Sequence, residues 1–162
     1  MPSMQYDVKS QYASASGVLV PFRSRLKGAT FSPAASTAGA AIFVNNTTLS
    51  GTYARVTTTA TITVANHDLV AGDWVYIDFQ AGGPTDGVYQ VVTVADANTF
   101  TVTVADSGGT SGTVSIYNDV LMQVTVSTLS SSTTVIPGEG ILAQDGIRVF
   151  LSNSVTATIF YG

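Results

Sequence analysis

From Thr59 to Val104 the chain switches between apolar and polar residues at almost every step and stops at short clusters of Gly, Asn and Asp. Ile62 and Val64 alternate with Thr61, Thr63 and Ala65 before Asn66-His67-Asp68. Trp74, Tyr76 and Asp78 alternate with Val75, Ile77 and Phe79 before the turn-forming run from Ala81 to Gly87. Val88 to Val94 and Thr99 to Val104 follow, divided by Asp96-Ala97-Asn98. Every second side chain shares a face only in extended backbone. A helix needs apolar residues spaced by 3.6, and no long stretch of this chain has them. The pattern therefore predicts a compact antiparallel meander or small β-barrel, and almost no helix anywhere.

The flanks repeat the pattern more loosely. Gly17 to Phe22 is a short apolar run broken by Pro21, and Ala40 to Val44 reads as a buried strand stopped by Asn45-Asn46. Thr47 to Thr58 reads as a polar connection or an edge strand. Thr113 to Tyr117 returns as a closing strand after the flexible turn Ala105 to Gly112, and Asn118-Asp119 marks a boundary. Val120 to Val126 is a strand, Thr128 to Thr134 a Ser/Thr loop, and Val135 to Leu142 a strand, a turn and a restart. Asp145-Gly146 is a short-hairpin signal. Ile147 to Leu151 and Val155 to Tyr161 are expected as a pair about Ser152-Asn153-Ser154. The predicted fold is all-β: a discontinuous antiparallel β-sandwich over residues 17–50 and 119–162, with an inserted small β-barrel or meander subdomain over 57–117. Residues 1–16 precede it as an N-terminal arm.

Charge excludes some functions. Only 10% of residues are charged, against an ordinary share of about 25%, and the net charge is −4. A surface that neutralises phosphate is not expected, so no nucleic-acid partner is assigned. With no Cys there is no disulfide framework, thiolate nucleophile or Cys-based zinc site. No apolar run reaches the roughly 18 residues of a membrane-spanning helix, and the N-terminus lacks the apolar core of a secretory signal. We expect a protein made in the cytoplasm, without a membrane partner.

Few residues suggest chemistry. His67 is the single His and Glu139 the single Glu, and each sits in a turn. One His cannot build a cluster, and no G-x-S-x-G elbow accompanies it. Asp68, Asp73, Asp78 and Asp86 lack the spacing of a calcium loop. No catalytic residue, metal or cofactor is expected. Trp74 and Tyr76 share one strand face, either as barrel core or contact surface, or as a sugar-stacking platform. Arg23, Arg25 and Lys27 hold half of the six basic residues and alternate along one strand face. That face is either simply solvated or an electrostatic contact for an acidic partner. Tyr6 and Tyr12 are the large apolar side chains of the arm, which is either frayed or docked on a neighbouring subunit.

Two resemblances narrow the class. Arg25-Leu26-Lys27-Gly28, Ile136-Pro137-Gly138-Glu139-Gly140-Ile141, Asp145-Gly146-Ile147 and Thr158 to Gly162 resemble a group of small proteins encoded by tailed phages of aquatic bacteria. This likeness covers about residues 22–45 and 119–162, and it implies a virion structural protein with a compact β-sandwich. His67-Asp68-Leu69, Gly72-Asp73-Trp74-Val75 and Asp96 to Val102 resemble a small β-barrel module that recurs in phage capsid and tail proteins. The same pattern is similar to the first catalytic-cysteine half-domain of ubiquitin-activating enzymes. It covers about residues 57–117, and without a Cys none of that enzyme's chemistry carries over.

The resulting expectation is a non-enzymatic virion structural protein, most concretely a capsid decoration or cement protein on the outside of the shell. The alternatives are a tail or neck component, such as a fibre, knob or ring subunit, and a carbohydrate-binding module on the virion surface. Expected partners are the major capsid protein or other virion proteins, with a homo-oligomer, plausibly a trimer. The partner-binding residues expected are Tyr6, Tyr12, Arg23, Arg25 and Lys27.

Overall fold

The structure is a computed structural model that describes residues 8–33, 38–80, 82–128, 130–152 and 155–162. Among these residues the chain is all-β, with antiparallel pairing and no helix. It divides into two compact units, Met1–Asn46 with Leu121–Gly162, and Thr47–Val120.

The first unit contains β1 (Lys9–Ala13), β2 (Gly17–Val20), β3 (Ser24–Pro33) and β4 (Gly39–Asn45) from its first segment. The second unit contributes β5 (Leu49–Val56), β6 (Thr59–Thr63), β7 (Trp74–Phe79), β8 (Gly87–Asp96), β9 (Thr99–Thr103) and β10 (Ser111–Tyr117). The chain then returns to the first unit with β11 (Val120–Val126), β12 (Ser132–Val135), β13 (Ile141–Ala143), β14 (Ile147–Leu151) and β15 (Val155–Tyr161).

In the first unit one sheet runs β1-β15-β3-β12, with β13 also pairing β3, and the other runs β11-β4-β14-β2. The two face each other across one core. Leu26 and Phe31 of β3, Phe43 of β4, Ile147 of β14 and Ile159 of β15 are all fully buried in it. The Phe31 and Phe43 rings meet at 5.9 Å between centroids. Each such side chain contributes about 1.5–3 kcal/mol by leaving water. Alternation in β3 changes phase at Gly28-Ala29, where its register with β15 slips between Phe160 and Tyr161. Such a bulge twists the strand and re-aims its side chains. On the N-terminal side of it, Leu26 points inward and Arg25 and Lys27 outward.

Three readings of the flanks need correction. The Asp145-Gly146 turn does not close a hairpin, because β13 and β14 lie in different sheets. It is a corner. Asn45 Oδ1 accepts the Asp145 amide at 2.9 Å, Asn45 Nδ2 donates to Asp145 Oδ2 at 3.1 Å, and the Asn46 amide donates to the Gly146 carbonyl. Gly146 has φ +101°, and a Cβ there would stand 2.1 Å from the Val20 carbonyl oxygen, so only glycine fits. Likewise β14 and β15 do not pair. They sit in opposite sheets, and their apolar faces meet across the core. Finally, the segment read as a Ser/Thr loop ends in β12, which pairs with β3 from Ser132–Phe31 to Val135–Gly28.

The second unit is a closed barrel with strand order β10-β5-β6-β9-β8-β7. Its interior is packed with Ile62, Val75, Ile77, Phe100, Val102 and Ile116, all fully or nearly fully buried. A barrel of six strands is narrow enough for side chains to fill. Thr47 to Thr58, read from sequence as a polar connection or an edge strand, contains β5, the stave that closes it. β5 pairs with both β6 and β10.

The first unit is interrupted between the end of β4 and the start of β11, which are hydrogen-bonded neighbours in one sheet. Replacing residues 47–120 by a short Gly-Ser linker is expected to leave a cooperatively unfolding protein. Urea titration with hydrogen exchange checks this. Loss of the cooperative transition would show that the first unit depends on the barrel.

Candidate functional site

Arg25 and Lys27 of β3 flank a turn. Gly140 at φ +81° brings Pro137–Gly140 back onto β3, so closely that a Cβ on it would stand 2.4 Å from the Leu26 carbonyl oxygen. Lys27 Nζ donates to the Glu139 carbonyl at 2.7 Å, and Arg25 Nη1 donates to the Gly140 carbonyl at 3.3 Å. Arg25 Nη2 also stands 3.4 Å from Glu139 Oε2. With the Glu139 side chain 82% exposed, this ion pair contributes at most about 1 kcal/mol.

Arg23 lies in the bend before β3, not on the strand as expected. Its Nε donates to Gln144 Oε1 at 2.8 Å. Between Arg23 and Arg25 opens a shallow recess of about 220 Å³, whose other walls are Ser24, Leu142 and Gly162. Gly162 is pinned there by paired backbone hydrogen bonds with Arg25. Ser24 Oγ is buried and has no hydrogen-bond partner among the described residues.

Tyr12 is 59% exposed. It is not on a loose arm, because Lys9–Ala13 pairs with Tyr161–Ala157 of β15 as the edge of a sheet. The expected arm is thus ordered from Lys9 onward, while Tyr6 lies outside the described residues. The structure brings Arg23 and Arg25 together at the recess and leaves Lys27 engaged with the adjacent turn.

Ionisable groups of the barrel serve its architecture. His67 is buried, with its ring edge-on to Phe100 at 5.0 Å. Its Nδ1 accepts the Leu69 amide at 3.0 Å, so Nε2 carries the proton and donates to the Asp96 carbonyl at 3.2 Å. Asn118 donates to the His67 carbonyl. This closes the barrel end where β6 finishes and β8 turns into β9.

Arg55, unremarked in the sequence pattern, closes the other end. It is 8% exposed and donates to the carbonyls of Thr57, Gly108 and Gly109 and to the Asp106 carboxylate. Thr57 has φ 52°, a strained value for a β-branched residue, and the guanidinium holds its carbonyl in place. Among the aspartates considered for calcium, Asp73 accepts the Val70 amide and Asp86 the Phe79 amide. Among the described residues, no group of three or more His, Asp or Glu could hold a metal ion.

Trp74 and Tyr76 part company. Trp74 is 55% exposed, whereas Tyr76 is buried edge-on to Tyr117 at 6.0 Å. Trp74 stands opposite Gln90, whose Nε2 donates to the Gly72 carbonyl at 3.1 Å. Val92 lies two residues beyond Gln90 and Val70 is tied to Asp73, and both are more than half exposed. Burial pushes the Tyr76 hydroxyl well above the usual tyrosine range, and the charges of Asp86 and Asp78 add to this. Tyr89 shifts the same way, by burial first and Asp86 second.

Neither a protein-family model nor a curated protein sequence matches the chain. Among solved structures, a phage phi92 endosialidase is similar at a TM-score of 0.33 and 20% sequence identity, over 84% of this chain. The match spans 21% of that protein, and a likeness at this level bears on neither fold nor function.

Two predictions follow from the barrel's polar groups. Arg55→Met takes the side-chain donor from the Thr57 and Gly108 carbonyls, while Gly109 keeps the Tyr53 hydroxyl, and should cost about 2–4 kcal/mol. Asp106→Asn should cost less than about 1 kcal/mol, because the Asp106 side chain is 62% exposed. Denaturant midpoints separate the two, and equal losses would make the carboxylate the main anchor. The second concerns alkali. Tyr76 and Tyr89 hold their protons more tightly folded than unfolded, so their contribution is complete below the ordinary tyrosine pKa of about 10. It falls away as pH rises above that value. Tyr76→Phe should flatten the fall in stability between about pH 10 and 12, read by urea midpoints across that range. An unchanged slope would mean that Tyr76 does not set it.

Proposed function

We propose that this protein is a non-enzymatic structural component of a bacteriophage virion, and most concretely a capsid decoration protein that binds the outside of the shell and stabilises it. The observation that carries this reading is the surface. A tenth of the residues are charged, and both units leave large apolar side chains more than half exposed: Phe22 and Val135 in one, Val70 and Trp74 in the other. Exposed apolar surface with little charge around it is stabilised when partners cover it. The resemblance of the Arg25–Gly28 and Ile136–Ile141 motifs to small tailed-phage proteins supports the virion assignment. Barrel ionisable groups such as His67 and Arg55 are engaged in holding loops, which fits a protein that acts by burying surface.

In this reading the major capsid protein is the partner. Tyr12, Arg23, Arg25 and Lys27 belong to the attachment face, together with Tyr6. A homo-oligomer, a trimer at local threefold positions, multiplies modest contacts by avidity. The charged residues contribute register and association rate more than affinity.

Exposure of Trp74 beside Gln90 favours one second reading, a platform on which a sugar ring stacks while the amide binds a hydroxyl.

Quantitative gels of purified virions should give a copy number on the scale of the shell subunits, and a number on the scale of a tail ring would favour a tail or neck component. On undecorated shells, Arg23→Ser combined with Arg25→Ser should lower occupancy severalfold at moderate salt, whereas Trp74→Ala should bind no glycan differently from wild type on an array. Full occupancy by the double variant places attachment elsewhere. Saturable glycan binding lost in Trp74→Ala would replace the decoration reading by the sugar-platform one.

A further inference from the structure

We propose that the recess between Arg23 and Arg25 is a carboxylate-binding site for an acidic peptide segment of a partner protein, and that Glu139 occupies Arg25 until that segment displaces it. Only the identity of the partner rests on the virion reading; the site itself stands on its geometry.

Two arginines, two residues apart, line one concave surface. Gln144 orients Arg23 through Nε alone, and the two Nη atoms of Arg23 make no hydrogen bond among the described residues. The guanidinium fork matches the two oxygens of a carboxylate better than it matches a point charge. The walls formed by Leu142 and the pinned Gly162 backbone remove part of the surrounding water, which strengthens a charge contact relative to an open surface. Ser24, the residue between the arginines, lines the recess as well, and its buried hydroxyl has no partner among the described residues. The recess of about 220 Å³ has room for several waters at about 30 Å³ each, enough for a side-chain carboxylate but not for a folded element.

Glu139 shows that Arg25 takes a carboxylate, from the turn beside the recess. The chain's single Glu reaches Arg25 at 3.4 Å, too long for a strong charged hydrogen bond, from a side chain that is 82% exposed. Its backbone, by contrast, is fixed by Lys27. The carboxylate is therefore free to leave while the turn stays in place. An incoming peptide carboxylate can bridge Arg23 and Arg25, whereas Glu139 contacts Arg25 alone among the described ion pairs.

The test titrates the full chain with a hexaglutamate peptide, and separately with acetate and with inorganic sulfate. The readout is the Nε–Hε signals of Arg23 and Arg25 in nitrogen-correlated spectra, with affinity measured by calorimetry. The peptide is expected to shift both signals saturably. Arg23→Ser and Arg25→Ser should each weaken it about tenfold or more, and Arg148→Ser, on the opposite sheet, should not. Glu139→Gln should tighten it about two- to fivefold, the equivalent of removing one exposed ion pair. Urea midpoints of the variants confirm that each is folded. Absence of a saturable shift at low salt overturns the site. Unchanged affinity in Glu139→Gln overturns the displacement step. Saturation by acetate or sulfate at the same concentration as the peptide makes this a general oxyanion site and overturns the peptide assignment. Peptide binding with full shell occupancy by the double arginine variant leaves the site standing and rejects only the capsid as its partner.

Discussion

Each unit is held by strands that turn an apolar face inward, with β4 buried on both of its faces, and the rest of the structure follows from how those faces are paired. In the barrel the dry faces of six strands meet one another around a filled axis, with Ile62, Ile77, Phe100 and Ile116 at its centre. In the first unit they belong to two sheets, and Phe31 and Phe43 meet between them. A register slip of one residue would turn either core outward. Register is therefore pinned at the corners by polar side chains: Asn45 on Asp145, Asn98 on the Asn66 amide, and His67 between Leu69 and Asp96.

Alternation made the strand content and the all-β class legible, because period-two burial is a property of neighbouring residues. Strand partners were less legible. Ile147–Leu151 and Val155–Tyr161 follow each other with a short turn between them, the usual mark of a hairpin, yet they lie in opposite sheets. Local sequence says that each has an apolar face; it does not say whether those faces lie side by side or opposite each other. Asp145-Gly146 misled for the same reason. A glycine at positive φ serves a sheet-to-sheet corner as well as a hairpin, and the deciding contact, from Asn45, is distant in sequence. Leu49–Val56 was hidden by its composition. Its inward residues include Gly51, Tyr53 and Arg55, which give no clean apolar rhythm.

Among the site residues, the basic alternation correctly placed Arg25 and Lys27 on one outward face, since Leu26 between them is fully buried. What alternation could not show is the turn that returns over them. Glu139 and Gly140 are far along the chain, and their approach depends on β13 pairing with β3. Arg55 went unnoticed because a lone Arg in a Thr-rich strand carries no pattern. The loop that it fastens carries glycines at 108 and 109, whose carbonyls accept from Arg55, with the Tyr53 hydroxyl sharing Gly109.

Scarcity of charge gives the remaining cations their significance. Six basic residues serve the whole chain, and a buried one must have its donors satisfied. Arg55 meets that demand with three carbonyls and a carboxylate, all within its own barrel. Lys27 fixes a turn backbone, and Arg148 reaches Asn46. Arg25 reaches the Gly140 carbonyl at 3.3 Å and a water-exposed Glu139 at 3.4 Å, both long contacts, and Arg23 commits one of its three nitrogens. Buried, saturated cations hold a fold and cannot recognise anything else. Exposed, unsaturated ones beside a concave wall keep their donors for a ligand, and in this chain that condition is met at the Arg23–Arg25 recess.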